Sequence, residues 1–450
     1  MKSFIQTNSC ALIKAFFLGI LALASLSAQD DRLRLKQADV LENVTVDGVS
    51  MQYLRGNVIF TKGDMTMNCD WARFDQKQER GFLFGNVSMT EDVQNLTCDS
   101  LFVDSPKDIM IAYSNTHVWD TTYSLVADTL FYFSELDSGS ANGNATLIQE
   151  KQTIKGDRIE YVDLPEVDGV SYAARGNVTI TEVGRLATCG EAIYDRKNGK
   201  TVLRIKPQIV DNEQTISGSE IYLEYEDEVL KNLFIPSEAH ATHPSKGIRE
   251  WFEVVEGDTT FFEDSLSFSD DMTGSILRGF FVDGKLDSMR LEGMATTLYH
   301  IFEDSVYQGK NEASGDTITM NFGEKDLEKI FVSGGSQGTY TPDTTGADVD
   351  GPVVYQSEDI EYDVINEFTD LHGDATIDYT NVNLTAGFIN VAWKNNLLKA
   401  LPESKLDSAY GEIRPTMVES GEEPMVGDTM IYNLETRHGK VIKGTTKAED

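Results

Sequence analysis

Carboxylates are the residues with the most chemical promise in this 450-residue chain, where 74 Asp and Glu face 38 Lys and Arg. One set recurs at a fixed interval: Asp70, Asp99, Asp128 and Asp157 stand 29 residues apart (99 − 70, 128 − 99, 157 − 128). Converging carboxylates could hold a divalent cation, or supply the acid and base of glycoside cleavage. These acids instead return once per interval, as a structural position does. Asp and Asn in such places support turns and strand starts through local side-chain hydrogen bonds. The tight glycine-aspartate nonapeptide of calcium-binding β-rolls is missing too. A structural role is expected, and no metal site.

The other reactive side chains are scattered. Of the six histidines, His240 and His243 are three apart and would meet on a helix, but they lie in a Pro-flanked stretch without a third ligand. His117, His300, His372 and His438 assemble no Ser-His-Asp set or Cys-His pair, and there is no phosphate loop. Beyond Cys10 stand Cys69, Cys98 and Cys189, an odd number that excludes a scaffold with every cysteine paired. Cys69 and Cys98 occupy equivalent positions in neighbouring repeats. A bridge between rungs and two buried thiols are both open readings. Matches to Asn-X-Ser/Thr, such as Asn86-Val87-Ser88, are products of the repeat. No catalytic apparatus and no cofactor site is recognisable, so the chain reads as a non-enzyme.

The elements that would carry these residues are strands. Gly-Asn-Val starts recur at Gly56-Asn57-Val58, Gly85-Asn86-Val87 and Gly176-Asn177-Val178, with Gly143-Asn144-Ala145 and Gly373-Asp374-Ala375 as variants. The acidic column continues loosely through Gly190, Ser219, Asp264, Asp316, Glu358, Gly387 and Asp428. Two residues after it stand Ala72, Leu101, Leu130, Ile159, Ala192, Ile221, Leu266, Ile318, Ile360, Ile389 and Met430. Four residues after it stand Phe74, Val103, Tyr132, Tyr161, Tyr194, Leu223, Phe268, Met320, Tyr362, Val391 and Tyr432. Every entry in both columns is apolar or aromatic, so one face of each strand is buried and the other wet. About eleven such strand-turn-strand units, stacked, bury one continuous strip. No sustained 3.6-residue pattern competes. The fold class expected is all-β, an elongated β-jellyroll of stacked antiparallel repeats. The strip is either an ordinary packed core or a groove that accepts lipid.

Residues 1–28 read as a cleaved export signal: Lys2 and Lys14, the apolar run from Ala15 to Ala24, then small residues to Ala28. No later segment is long and apolar enough for a transmembrane helix. A net charge of −36 argues against nucleic acid and anionic bilayers as partners. Two lobes are expected, 29–235 and 258–450, separated by a loop or hinge at 236–257. A second loose stretch runs from Tyr340 to Pro352.

Taken in register, these units resemble the OstA/LptA family of periplasmic β-jellyrolls in lipopolysaccharide export. The residues that carry the resemblance are Leu54-Arg55-Gly56-Asn57-Val58-Ile59-Phe60, Cys98-Asp99-Ser100-Leu101-Phe102-Val103 and Gly156-Asp157-Arg158-Ile159-Glu160-Tyr161. Tyr307 to Asp316 is similar to a segment of longer family members, and Gly427 to Lys440 to the soluble N-terminal region of LptD. The resemblance spans about residues 36–445. It implies a periplasmic protein, peripheral to the outer membrane, that passes lipopolysaccharide between its sheets. It also implies head-to-tail pairing with other Lpt jellyrolls, LptC- and LptD-like, through edge strands. The chain has more repeats than a simple LptA-like protein and ends without room for an outer-membrane barrel, so it reads as a long bridge or as part of a larger translocon. Two other function classes stay in view: a glycan-active β-helix enzyme, and a passive structural or adhesive surface protein.

Overall fold

The computed structural model describes residues 33–46, 49–133, 138–149, 152–162, 172–195, 198–211, 213–226, 229–255, 258–323, 327–343, 349, 351–404 and 412–446. The expected export signal at 1–28 lies outside them. The described residues are almost all strand, with 3-10 turns at Ser105–Lys107 and Trp393–Asn395. The protein is all-β. Two compact units emerge among the described residues: one holds 33–211 together with 220–226, the other 213–219 and 229 onward.

The first unit runs through β1 (Arg34–Gln37), β2 (Val40–Val46), β3 (Val49–Lys62), β4 (Met65–Asp75), β5 (Arg80–Glu91), β6 (Gln94–Asp104), β7 (Ile109–Trp119), β8 (Tyr123–Phe133), β9 (Ser138–Gln149), β10 (Gln152–Val162), β11 (Tyr172–Glu182) and β12 (Arg185–Asp195). From β3 to β12 each strand pairs antiparallel with the next. Every one of these pairings slips register in mid-strand, as between Phe84 and Val87 of β5. The cause is a Gly-Asn pair, or Ser114-Asn115 on β7, which adopts left-handed backbone in succession (Gly85 φ 74°, Asn86 φ 47°). That conformation inserts a bulge and bends the strand. The acidic column faces this bulge from the strand before. Asp70 Oδ2 accepts from Asn86 Nδ2 at 2.8 Å, and its carboxylate fills the space where a Cβ on Gly85 would stand, 2.5 Å away.

Asp39 with Asn57, Asp99 with Asn115, Asp128 with Asn144 and Asp157 with Asn177 repeat the contact at 2.8 to 3.1 Å. The expectation of a turn or strand-start role is thereby corrected: both motifs sit inside strands, and the acid pairs with the glycine of the following strand. At the next position the steric roles invert. Gly190 takes the acid's place, and the Ile205 side chain, on a left-handed Ile205-Lys206 pair, occupies the space beside it.

β13 (Lys200–Arg204), β14 (Gln208–Asp211) and β16 (Glu220–Glu226) complete the first unit; the second takes β15 (Gln214–Ser217) and then β17 (Val229–Ile235), β18 (Ala239–Val255), β19 (Asp258–Gly274), β20 (Ile276–Val282), β21 (Lys285–Glu303), β22 (Val306–Phe322), β23 (Leu327–Pro342), β24 (Val353–Asp363), β25 (Phe368–Tyr379) and β26 (Val382–Ala392). The loop or hinge expected at 236–257 is instead mostly β18, paired with β19 from Ala239↔Gly274 to Val255↔Asp258. The loose stretch expected from Tyr340 begins as the end of β23. His240 and His243 lie on β18 rather than on a helix. His240 Nε2 is 2.7 Å from Asp271 Oδ2.

Candidate functional site

Bending divides each strand into two arms and the first unit into two half-sheets. Half-sheet I carries the apolar columns, for example Ala72, Phe74, Leu101 and Val103. Half-sheet II carries the residues beyond the bulge on β3, β5 and β7 and before it on β4, β6 and β8, such as Phe60, Met67, Met89 and Leu96, all buried. The two face each other: Phe60 of half-sheet II packs on Phe74 of half-sheet I with ring centroids 5.2 Å apart. A strand in the second unit shows the same fold-back. The hydroxyls of Tyr355 and Tyr362, both on β24, lie 3.0 Å apart although seven extended residues span about 23 Å. The candidate site is this slot between facing half-sheets, and it lies along the apolar strip.

Of the residues expected to line it, Ala72, Phe74, Leu101, Val103, Leu130, Tyr132, Ile159, Tyr161, Ile221, Leu223, Ile318, Ile360 and Tyr362 are buried, and Tyr194 is half-buried. Leu130, Tyr132, Ile159 and Tyr161 come together around a small open recess, which Leu125 and Ala141 also line. Its walls are apolar. Water there gains few partners, whereas each methylene buried is worth about 0.8 kcal/mol.

Leu266 and Phe268 belong elsewhere. Both are half-buried on β19, and Phe268 stacks on His300 at 4.1 Å, away from the columns. The residue that faces a bulge in this part of the chain is Ser275, opposite Gly293 (φ 78°), and not Asp264. Two residues later stands Leu277, fully buried and missed by the sequence reading. The signal was available in Gly293: the bulge glycine follows its partner by 15 to 19 residues (85 − 70, 176 − 157), and 293 − 275 = 18 fits. The same rule finds Asp39, 17 residues before Gly56.

Polarity enters the strip in the second unit. Tyr355 donates to Asn311 Oδ1 at 2.6 Å, and Asn311 Nδ2 donates to the Tyr299 hydroxyl at 2.7 Å. Burial pushes Tyr299 up to about 12 and raises Tyr355 and Tyr362 further, so all three stay neutral donors at ordinary pH.

Reactive clusters were sought in the same framework. Buried Asp270 accepts from the His300 amide at 2.9 Å and from Ser245 Oγ at 3.1 Å, and lies 2.8 Å from His300 Nδ1. A serine nucleophile needs the imidazole to take its proton. Here Ser245 bonds to the carboxylate, so the group ties β18, β19 and β21 together and activates nothing. Among the described residues no set of three or more His, Cys, Asp or Glu could hold a metal ion. Cys69, Cys98 and Cys189 are free and buried. Strand β5 separates Cys69 from Cys98, about 9–10 Å across two strand spacings, which excludes the bridge left open above. Burial lifts Cys69 to about 11 and Cys98 to about 12, and the thiols are inert at neutral pH.

No helix among the described residues is long and apolar enough to cross a membrane. Residues 75–219 match the family described as OstA-like protein. No curated protein matches the chain. Among solved structures, one similar chain is LptH, the LptA-homologous periplasmic component of the lipopolysaccharide transport device of Pseudomonas aeruginosa. It is 18% identical and is matched over 26% of this chain and 93% of its own, with a TM-score of 0.22. Residues 75–219 cover β5 to β15, where bulges repeat and the recess lies; over that segment, about a third of the chain, the protein is similar to the OstA-like proteins.

Proposed function

We propose that the protein is a non-enzymatic, periplasmic carrier or bridge for lipopolysaccharide, with acyl chains held between facing half-sheets. The observation that carries this reading is the apolar recess walled by Leu130, Tyr132, Ile159 and Tyr161, inside the OstA-like segment. An acyl chain that parts the half-sheets along this strip gains about 0.8 kcal/mol for each methylene it buries. The edge strand β2 supports the bridging part. Among the described residues it pairs with β3 alone and exposes Val40, Leu41 and Val44, and an edge of this kind takes an added strand from a partner. LptC- and LptD-like jellyrolls are the partners this reading names. The two compact units then act as successive stations for the lipid.

A photo-crosslinking residue at Leu130 or Ile159 should capture lipopolysaccharide in cells, while one at exposed Arg158 should not. Equal labelling at all three positions would sink the reading.

A further inference from the structure

We propose that Lys62 and Asp108 form a clasp across the open side of the slot in the first unit, and that Lys62 receives the phosphate of an entering anionic amphiphile. This rests on the lipid-binding reading above and assigns it a discriminating residue. Lys62 ends β3, and by strand alternation it points the same way as buried Val58 and Phe60, into the slot. Asp108 ends the 3-10 turn at the tip of β6, on half-sheet I, in left-handed backbone (φ 50°). Lys62 Nζ lies 2.7 Å from Asp108 Oδ1, with the two side chains 17% and 34% exposed. The pair thus joins the lip of one half-sheet to the lip of the other, next to the Phe60–Phe74 contact.

Neighbouring polar groups are committed differently. Arg80 holds Asp104 at 2.8 Å along half-sheet I, and Asp75 accepts from the amides of Lys77 and Gln78. Arg175–Glu191 and Arg204–Glu220 likewise join adjacent strands. Acyl chains entering from the side must part the lips and break the clasp. A single ion pair that still reaches solvent is weak enough to open. Opening leaves an inward-facing ammonium, and a phosphate that replaces the Asp108 carboxylate keeps that charge paired. An uncharged amphiphile offers no such exchange. Within a chain of net charge −36, the cation therefore stands where an anionic lipid needs one.

The test uses the full-length protein, a chelator to remove divalent cations, and two probes: lipid A and its dephosphorylated form. Wild type should prefer lipid A several-fold. Asp108→Asn should bind lipid A several-fold faster. Lys62→Met should lose the preference while binding the dephosphorylated form at least as well, and Lys62→Arg should keep it. Circular dichroism and urea midpoints check folding. If wild type binds both probes alike, if Lys62→Met retains the preference, or if Asp108→Asn leaves the rate unchanged, the clasp is overturned and the carrier reading stands. Binding of neither probe overturns both.

Discussion

A carboxylate sits where a side chain would otherwise begin at each acid-facing glycine bulge. At Gly85 a Cβ would lie 2.5 Å from Asp70 Oδ2, and the carboxylate is held in place by Asn86. Gly63 shares positive φ, 56°, but a Cβ there meets nothing within 4 Å. Gly63→Ala should therefore cost only left-handed strain, about 1 kcal/mol. Gly85→Ala adds the clash and should cost about 2–3 kcal/mol by urea unfolding. Equal losses would mean that Asp70 does not shape the bulge. The 29-residue interval makes these residues visible in sequence, but their partnership is not, because each acid meets a glycine 15 to 19 residues ahead on the neighbouring strand, a separation that varies with turn length.

Asp270 was invisible to that approach altogether, being outside the columns. Burial alone would raise its pKa; the proximity of His243 and the hydrogen bonds from His300 and Ser245 outweigh that and hold it below the usual 3.8. A carboxylate depressed in the folded state stabilises above the unfolded value, and the contribution is lost as pH falls through the folded one. Wild type should be more stable than Asp270→Asn at pH 6, and the gap should narrow below about pH 4, as read by thermal unfolding.

Strands were legible wherever one face is dry and the other wet. On the inner face of β5, Gly81, Leu83, Val87 and Met89 alternate with more exposed Phe82, Phe84 and Ser88. The β18–β19 hairpin has no such contrast along its outer half. Trp251 stacks on Phe262 at 5.6 Å and Phe252 on Phe261 at 5.3 Å, with Phe252 69% and Phe261 48% exposed. Adjacent aromatics break period-two patterning, and Pro244 and Gly247 read as punctuation, so the segment looked like loop. Its root is pinned by Arg249, which donates to buried Asp343 at 2.7 and 3.1 Å. Phe252→Ser together with Phe261→Ser should change stability by no more than about 0.5 kcal/mol, as for exposed sites. Phe60→Ala, fully buried, should cost about 3–5 kcal/mol. Comparable losses would show that the hairpin aromatics belong to the core.

Across the whole molecule, charge is the dominant global property. A net −36 repels itself in the compact state, and salt screens such repulsion within a Debye length of about 8 Å at physiological ionic strength. The thermal midpoint should rise as sodium chloride increases from about 10 to 150 mM; a fall would point to ion pairs such as Arg175–Glu191 as the larger electrostatic contribution. The all-β class and the strip could be read from the columns, since they follow from alternation alone. The extent of the compact units could not. Near their boundary the acid-glycine signature gives way to Gly190 with Ile205, and then to Ser219 with Ser237, whose hydroxyls bond at 2.7 Å.

Pairing of each strand with its immediate successor, from β3 to β12, also bears on how fast the protein is made. All-β chains usually fold slowly because their contacts join residues far apart in sequence. In this meander no more than nine residues separate one strand from the next, so loop-closure entropy stays low and a hairpin can form as soon as its second strand emerges from the ribosome. Each new strand then docks on an edge already in place, and refolding should proceed as a zipper from many starting points rather than wait for one distant encounter.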